Sequence, residues 1–468
     1  MAGHAAACGD RLEFGGDGIQ NPGKDNRSEL LWGKLRTIPG TLECCIFWAN
    51  QAEARVPFLK SLRLQGILSF PPDSEAIELR PLNVLIGPNG SGKSNLIEAI
   101  ELLHATPTGF ASAIRDGGGV REWLWKGDDS RGQGSIEALV RHFDVGQSLA
   151  SLYEGHIDLD GNAIRYRLSF SSIGQRVEIT EEVLEDLKGS GKRAKNGHFY
   201  YRFQAGAHIV NARAVGALSK VVHREQREID RKILKPDESI LLQIKDPSVY
   251  PELTELGRKF EDIRSFREWT IGPDAEVRKP QPADLPADVL APDSRNLGLI
   301  LNQLEHSGTW SEFNGYLSRF LPRFQRYTTR IEGGTVQFYL HENGLKQPIP
   351  ATRLSDGTIR FMAILAQLLS PTPPPLICIE EPELGLHPDA IALLASLFQE
   401  ASARTQLIVT THSDALVSAL TDHADSVLVC EYRNGTVLQR VDSSKMKFWL
   451  DKYRLGEIWR MGEIGGNL

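Results

Sequence analysis

Apolar residues follow the two-residue period of β-strands in some stretches of the chain and the helical period in others. A strand pattern begins at Phe58, and an unbroken apolar run at 84–86 is followed by apolar residues at helical spacing around Ile100. Between residues 135 and 210, apolar and polar residues alternate, which is typical of strands with one buried face. The alternating runs lie at 136–143, 164–170, 177–184 and 198–203. These patterns predict a buried strand followed by a helix, and then an antiparallel sheet layer.

Three further patterns divide the rest of the chain. Residues 213–326 are rich in charged and helix-forming side chains, with a proline-dense connector at 278–293. Two strand patterns joined by Gly333-Gly334 then predict a β-hairpin. The first residues show neither period and predict a poorly ordered leader. The alternatives are a regulatory tail or partner-binding arm, or an over-extended translation start. The predicted division is a leader at 1–55, the first lobe of an α/β core at 56–212, a mainly helical insertion at 213–326 and the second lobe at 327–468.

The segment between the first buried strand and its helix matches the phosphate-binding P-loop, Gly-x-x-x-x-Gly-Lys-Ser. Glycines allow consecutive backbone N–H groups to curl around a polyphosphate, and the helix adds its positive N-terminal end. Lys93 would reach the β and γ phosphates of ATP, and the Ser94 hydroxyl would bind Mg²⁺. A glycine-rich turn without a ligand is the alternative, but both flanks fit a nucleotide site. The predicted nucleotide-binding residues of this loop are Gly87, Pro88, Asn89, Gly90, Ser91, Gly92, Lys93, Ser94 and Asn95.

A second apolar run, at 376–379, ends in the carboxylates Glu380 and Glu381. A buried parallel strand delivers such side chains to the carboxyl edge of an open α/β sheet, where ligands bind. Glu380 would hold Mg²⁺, and Glu381 would polarise the water that attacks the γ phosphate. An exposed acidic turn is the alternative, but two acids directly after a buried strand are costly without a nearby cation. The run is therefore interpreted as a Walker B strand.

These motifs, in this order, resemble the ABC-type ATPase superfamily, in particular the RecF-like and SMC-like ATPases and the ATPase part of OLD proteins. The resemblance covers about residues 58–468. It implies the α/β fold of a P-loop NTPase of the ABC/SMC-head type, with a mixed sheet, an antiparallel β layer and a helical insertion. It also implies an ATPase that forms an ATP-dependent homodimer enclosing two ATP molecules. DNA repair, recombination and phage defence are the processes that the resemblance suggests.

Within this resemblance, residues 354–358 correspond to the signature motif, 382–387 to the D-loop and His412 to the switch histidine. Ser355 stands as the N-cap of a helical pattern, so Ser355 and Gly357 would meet the γ phosphate bound by a second subunit. His412 follows an apolar strand and would contact the γ phosphate and the attacking water, as a catalytic residue beside Glu381. Without the other motifs, Ser355 would be interpreted as an ordinary N-cap and His412 as a structural histidine.

The sequence departs from the family pattern at several positions. Glu380 replaces the usual aspartate, and His387 takes the place of the D-loop aspartate. The signature carries Asp356 and Thr358 where glycine and glutamine are usual. Related ATPases often carry Glu-Glu-Pro-Glu and His-Pro here, so the chemistry is expected to be retained. Gln147 is the candidate for the Q-loop glutamine.

The amino-acid composition restricts which partners the protein is expected to have and in which cellular compartment it is expected to work. The 468 residues hold 53 Lys and Arg against 60 Asp and Glu, and the formal net charge of -7 provides no global field for nucleic acid. Any DNA contact would use a local basic patch, such as 188–195. The five cysteines show no C-x-x-C spacing, and no apolar run reaches the roughly 18 residues that cross a bilayer. These features predict a cytoplasmic protein without a membrane partner.

Two other functions stay open. The protein would be a nucleotide-gated binding module if hydrolysis is slow and a partner, such as an effector protein encoded nearby, supplies the effect. It would be the ATP-binding subunit of a transporter if it served a membrane partner, but the insertion between P-loop and signature is longer than the compact segment of transporters. The tail repeats Gly-Glu-Ile at 456–458 and 462–464, which we interpret as part of a packed cover.

Overall fold

The computed structural model describes residues 57–127, 129–143, 163–187, 199–204, 206–214 and 223–466. The predicted leader, the basic segment 188–195 and Gln147 lie outside the described residues. The chain divides into the units Met1–Asn50 and Gln51–Leu468, and every described residue belongs to the second. None of the described helices combines the length and the apolar character needed to span a bilayer.

The predicted antiparallel layer is an eight-stranded sheet with the spatial order β2-β1-β4-β5-β6-β7-β8-β9. Every neighbouring pair is antiparallel. Buried and less buried residues alternate along β4, as expected for a strand with one face on the core. The strands are β1 (Leu59–Gln65), β2 (Ile77–Glu78), β4 (Gln133–Arg141), β5 (Ala163–Ile173), β6 (Arg176–Leu187), β7 (Phe199–Gln204), β8 (Ala207–Ala214) and β9 (His223–Ile229).

A second, six-stranded sheet carries the predicted motifs and has the order β10-β15-β16-β3-β17-β18. Its first five strands are parallel, and β18 pairs with β17 in the antiparallel sense. The strand before the P-loop therefore lies at the centre of a parallel sheet, next to the strand that precedes His412. The strands are β3 (Leu82–Ile86), β10 (Arg264–Phe266), β15 (Leu376–Glu380), β16 (Gln406–Thr410), β17 (Val427–Tyr432) and β18 (Thr436–Arg440).

The predicted hairpin belongs to a third sheet, in which the central strand β13 pairs with β11, β12 and β14. Its strands are β11 (Gln281–Pro282), β12 (Phe324–Glu332), β13 (Thr335–Glu342) and β14 (Ile349–Pro350). The helices of the described residues are α1 (Lys93–Ala105), α2 (Phe110–Asp116), α3 (Val120–Trp123), α4 (Ile240–Gln243), α5 (Pro251–Glu261), α6 (Leu297–Glu305), α7 (Trp310–Phe320), α8 (Asp356–Leu368), α9 (Pro388–Ala401), α10 (Asp414–Ala419), α11 (Ser443–Leu450) and α12 (Leu455–Met461).

The parallel sheet separates two hydrophobic cores because successive side chains of a strand point to opposite faces. Val84 and Ile86 of β3 join one core with the apolar faces of α6 to α9. Leu85 joins the other core with α1, α5 and the antiparallel sheet. Both faces of β3 are therefore covered, and all five of its residues are buried. This burial explains why the strand is an unbroken apolar run apart from Asn83.

The segment 213–326, predicted as a mainly helical insertion, contributes both helices and strands to the fold. It contains α4 to α7, but β9 extends the antiparallel sheet and β10 extends the parallel sheet. The sequence of β9 is highly charged and has no apolar alternation, which suits an edge strand exposed to water. β10 has three residues, too few to show a period. Pairing with neighbouring strands thus overrides local propensity in both segments.

The Gly-Glu-Ile repeats belong to a packed C-terminal cover, as interpreted from the sequence. In the first repeat, the Glu457 side chain accepts a hydrogen bond from the Arg454 N–H at 2.8 Å and so caps α12. Arg460 of the same helix forms an ion pair with Asp414 of α10 at 3.1 Å. After the second repeat, the carbonyl oxygen of Gly466 accepts a hydrogen bond from Trp459 Nε1 at 3.0 Å. The cover thus packs on the helix that follows His412.

Candidate functional site

The P-loop begins at the carboxyl end of β3 and leads directly into α1, as the sequence predicts. Gly92 has a φ of 100°, and a Cβ atom there would lie 1.9 Å from Thr436 Oγ1, so only glycine fits this position. Asn89, Gly90 and Ser94 are exposed along the crest of the loop, whereas Ser91 and Gly92 are buried. The exposed residues Asn89, Gly90 and Ser94 therefore form an accessible rim, which we call the phosphate rim, above the buried Ser91 and Gly92. Such an arrangement fits a phosphate chain.

Lys93 lies under this rim and is only 6% exposed. Its ammonium group donates hydrogen bonds to the carbonyl oxygens of Gly87 at 2.8 Å and Pro88 at 3.0 Å. Burial lowers the pKa of Lys93, and the charges of Glu381 and Glu380 oppose that effect. A buried ammonium next to exposed loop residues at a helix start is an electrostatic complement for bound phosphate, so these residues fit a nucleotide.

The two predicted carboxylates lie at the carboxyl end of β15, two strands away from the P-loop strand. Glu381 adopts a left-handed backbone conformation with a φ of 44°, which is unfavourable for a residue with a side chain. The Glu381 N–H donates to the Thr410 carbonyl oxygen of β16 at 3.1 Å, and this bond holds the conformation. Such strain is typical of positions that orient a functional side chain.

His412 follows β16, which lies between the P-loop strand and the Walker B strand. Its Nε2 atom lies 3.7 Å from Glu381 Oε1, so the structure brings the two predicted catalytic side chains together. Burial, and then the charge of Lys93, lower the pKa of His412 below its usual value. The lowered pKa favours the neutral imidazole, in which one ring nitrogen donates and the other accepts.

Glu383 of the D-loop supports this arrangement, and the sequence analysis assigned it no role of its own. Its Oε1 atom accepts hydrogen bonds from Thr411 Oγ1 at 2.6 Å and from the His412 N–H at 3.1 Å. Its buried Oε2 atom has no hydrogen-bond partner among the described residues. One carboxylate thus fixes the backbone of the predicted switch histidine.

Arg267, directly after β10, is the main charged residue of the site that the sequence analysis missed. Its Nε atom donates to Glu380 Oε2 at 2.9 Å. Its two terminal nitrogens donate to Glu98 and Glu101 of α1, at 2.9 Å and 3.1 Å. Burial opposes the charge of Arg267, but these carboxylates hold its pKa above the usual value. A single guanidinium therefore links the P-loop helix to the Walker B strand.

Replacing Arg267 by alanine is expected to lower the free energy of unfolding by roughly 1–3 kcal/mol, because three partly buried carboxylates lose their shared cation. Arg258→Ala is the matched control, since Arg258 also pairs with two carboxylates, Glu255 and Asp262, but on the exposed surface of α5. That variant should change stability by less than about 0.5 kcal/mol. Denaturant unfolding of both variants measures the difference, and equal effects would contradict a linking role for Arg267.

The signature residues form a capped helix start. Ser355 Oγ accepts a hydrogen bond from the Thr358 N–H at 3.1 Å, as predicted for the N-cap of α8. A Cβ atom on Gly357 would lie 2.5 Å from the carbonyl oxygen of Gly385, so the D-loop and the signature pack closely in one chain. Buried Arg278 forms an ion pair with Asp356 and donates to the Leu354 carbonyl oxygen at 2.7 Å. These contacts make the signature loop rigid.

The signature residues and the P-loop of the same chain are not linked by hydrogen bonds in the described part of the chain. Within the described part of the chain, no hydrogen bond joins residues 355–358 to residues 87–95. His387, which takes the place of the D-loop aspartate, caps α9 by accepting a bond from the Asp389 N–H at 3.3 Å. The predicted site therefore consists of one cluster at the sheet edge and a capped helix that packs on the D-loop.

The donor set of the sheet-edge cluster fits Mg²⁺. The Ser94 hydroxyl is exposed, and Glu380 contributes one carboxylate. No group of three or more His, Cys, Asp or Glu side chains that could hold a metal occurs among the residues that the structure describes. Mg²⁺ in phosphoryl-transfer sites commonly takes one or two protein ligands and completes its shell with phosphate oxygens and water. A hydroxyl and a carboxylate agree with that pattern.

A P-loop on a central parallel strand, a carboxylate pair after the buried strand β15 and a capped helix at α8 are features of the P-loop NTPase fold of the ABC/SMC-head type. Comparison with known sequences agrees. The chain belongs to the family described as "AAA domain, putative AbiEii toxin, Type IV TA system", whose sequence model matches residues 82–418. That match includes every predicted site residue, from Gly87 to His412.

Individual relatives are more distant. The chain is 40% identical to the Old nuclease of Escherichia phage P2 over 73 residues, which are 15% of this chain and 12% of the phage protein. A solved Smc head bound to the C-terminal winged-helix domain of ScpA shares 14% identity, with a TM-score of 0.50 over 83% of this chain and 99% of that one. A Smc head derived from Pyrococcus furiosus shares 13% identity and the same TM-score, over 85% and 99% of the two chains. These likenesses establish the fold.

Proposed function

We propose that the protein binds ATP with Mg²⁺ and hydrolyses it to ADP and phosphate. The observation that carries this proposal is the position of Glu381. Its strained backbone directs a carboxylate to the sheet edge, 3.7 Å from His412 and within the electrostatic field of Lys93. A general base, a histidine that can hydrogen-bond water and a phosphate-binding ammonium are groups that can position and activate water for phosphoryl transfer.

In this proposal, each side chain has a separate task. Lys93 exchanges its hydrogen bonds to loop carbonyls for bonds to the β and γ phosphates. Glu381 accepts a proton from the attacking water, and neutral His412 orients that water and the γ phosphate. Glu383 holds the His412 backbone, which restricts the histidine to this position. When bound at Ser94 and Glu380, Mg²⁺ neutralises part of the phosphate charge.

The proposed active form is an ATP-dependent homodimer. The signature helix presents its N-terminus at Ser355 and Gly357, yet among the described residues it makes no hydrogen bond to its own P-loop. A γ phosphate bound by a second copy would approach this helix start, since a helix N-terminus favours negative charge. A two-fold axis would make this contact twice in each dimer.

Ser355→Arg is expected to leave ATP binding by the monomer intact and to prevent dimerisation with ATP. The substitution removes the N-cap hydroxyl, at a cost of about 1 kcal/mol, and places a bulky side chain where phosphate would approach. Light scattering measures the result in a Glu381→Gln background, where ATP should persist and wild-type Ser355 should give a dimer. Ser318→Arg, at an exposed position of α7, is the control and should still dimerise. A dimer formed by the Ser355→Arg double mutant would refute the shared site.

The process driven by this cycle is proposed to be DNA repair or phage defence. The support is the family description, which refers to a putative toxin of a toxin–antitoxin system, and the short likeness to a phage nuclease. DNA, or an effector protein encoded nearby, would be the partner.

A nucleotide-gated module with slow hydrolysis is the second candidate. It is favoured by the engagement of Glu380 with Arg267, because that ion pair competes with Mg²⁺ for the carboxylate. Steady-state phosphate release with and without DNA separates the two functions, since the module would release little phosphate in either condition.

A further inference from the structure

The cover, residues 455–466, contacts the first residue of the P-loop. A Cβ atom on Gly466 would lie 3.4 Å from the Cα atom of Gly87 and 2.7 Å from Val429 Cγ1, so the two backbones pack with no side chain between them. Gly87 follows β3 beside β17, where a Cβ atom of its own would lie 2.2 Å from the Cys430 carbonyl oxygen. Gly87 is therefore packed against both β17 and the cover.

Two hydrogen bonds and an apolar contact hold this part of the cover in place. The Gly466 N–H donates to Glu431 Oε1 of β17 at 2.9 Å. The Gly466 carbonyl oxygen accepts its bond from Trp459 of α12, which is only 5% exposed. Ile464 packs against the same hydrophobic core as Trp459. Because both backbone polar groups of Gly466 have side-chain partners, its position is fixed.

The position of Gly87 is important for the site because its carbonyl oxygen holds Lys93. Lys93 Nζ donates to that oxygen at 2.8 Å, beneath the phosphate rim. The cover also reaches α10, the helix that follows His412. A Cβ atom on Gly456 of α12 would lie 2.1 Å from the carbonyl oxygen of Asp414, the first residue of α10. The cover thus contacts the P-loop at one end and the helix after His412 at the other.

From these contacts we infer that the cover is a positioning element of the nucleotide site. Glu431 holds Gly466, and Gly466 supports Gly87. The Gly87 carbonyl oxygen in turn directs Lys93 toward the phosphate rim. This inference rests on the proposed function and adds Glu431 and Gly466 to the site as positioning residues. Coupling between two sites is reciprocal, so bound phosphate should also stabilise the docked cover.

Calorimetric titration with inorganic pyrophosphate and Mg²⁺ tests the inference without hydrolysis. Glu431→Ala removes the acceptor for the Gly466 N–H and should weaken pyrophosphate binding by roughly 5- to 150-fold, the usual range for coupling between two sites. Glu431→Gln should bind like the wild type, because its amide oxygen can still accept that bond. Both variants lose the ion pair with Arg433, so their difference isolates the bond to Gly466. Glu463→Ala, at an exposed position of the cover, is the control and should also bind like the wild type.

Hydrogen exchange in the wild-type protein supplies a measurement that needs no substitution in the cover. Saturating pyrophosphate with Mg²⁺ should slow exchange of the Gly466 N–H by a factor similar to the affinity loss in Glu431→Ala, since the coupling is reciprocal. The same ligand should not protect this N–H in Lys93→Ala. The amides of β13, in the third sheet, are the control and should not change, which separates local protection from a general gain in stability.

Unchanged pyrophosphate affinity in a folded Glu431→Ala protein would overturn the inference. Equal losses in Glu431→Ala and Glu431→Gln would overturn it as well, because they would assign the effect to the charge of Glu431. If denaturant unfolding shows that Glu431→Ala does not fold, the exchange measurement decides, and a Gly466 N–H that pyrophosphate does not protect would count against the inference. Failure of the proposed function is distinguishable, since the wild type would then bind no pyrophosphate.

Discussion

Replacing Glu381 by glutamine is expected to leave ATP binding intact and to reduce turnover by roughly 100-fold or more, the usual contribution of a general base. The amide keeps the size and the strained backbone position of the side chain but cannot accept a proton from water. Its 3.7 Å approach to His412 Nε2 would persist, because the amide has the same shape as the carboxylate. Phosphate release and equilibrium ATP binding, measured on the same preparation, give the two quantities.

Glu332→Gln is the control for this substitution, since Glu332 is exposed at the end of β12 and should give wild-type turnover. Wild-type turnover in Glu381→Gln would show that another residue acts as the general base. Glu380 would be the next candidate, although Arg267 already holds its carboxylate.

Replacing Lys93 by alanine is expected to weaken ATP binding by about 2–5 kcal/mol, the cost of truncating one partner of a buried charge pair. That corresponds to roughly 30- to 5000-fold in Kd. Lys93 is the ammonium that lies under the phosphate rim, and its present partners are two neutral carbonyl oxygens. Calorimetric titration with ATP measures the loss.

Two controls accompany Lys93→Ala. Lys447→Ala removes an exposed lysine of α11 and should bind ATP like the wild type. Denaturant unfolding of Lys93→Ala shows whether the loop still folds without its internal hydrogen bonds. Undiminished ATP affinity in a folded Lys93→Ala protein would refute the assignment of the P-loop.

Much of the fold could be predicted because the relevant signals are local. The strand β3, the helix α1 and the P-loop between them occupy 24 consecutive residues, from Leu82 to Ala105. The cap at Ser355 bonds to a residue three positions later, and the hairpin at Gly333-Gly334 joins adjacent strands. Period and turn chemistry over such short distances are visible in a sequence.

The residues that complete the cluster were missed because their partners are distant in the chain. Arg267 meets Glu380 across 113 positions, and Thr436 meets Ser69 across 367. In the sequence alone, nothing distinguishes Arg267 from the other arginines of a charged segment. The only local signal is that it follows Arg264–Phe266, a three-residue strand that is too short to recognise by period. Arg267 meets Glu380 because β10 lies beside β15 in the sheet, and this strand order is not visible in the sequence.

If this site hydrolyses ATP, the wild-type protein should release phosphate at steady state. With ATP and Mg²⁺, in the presence and absence of DNA, we expect repeated turnover, with many phosphates released per chain and the signal lost in Lys93→Ala. Release that never exceeds the Lys93→Ala background in either condition would contradict ATP hydrolysis at this site.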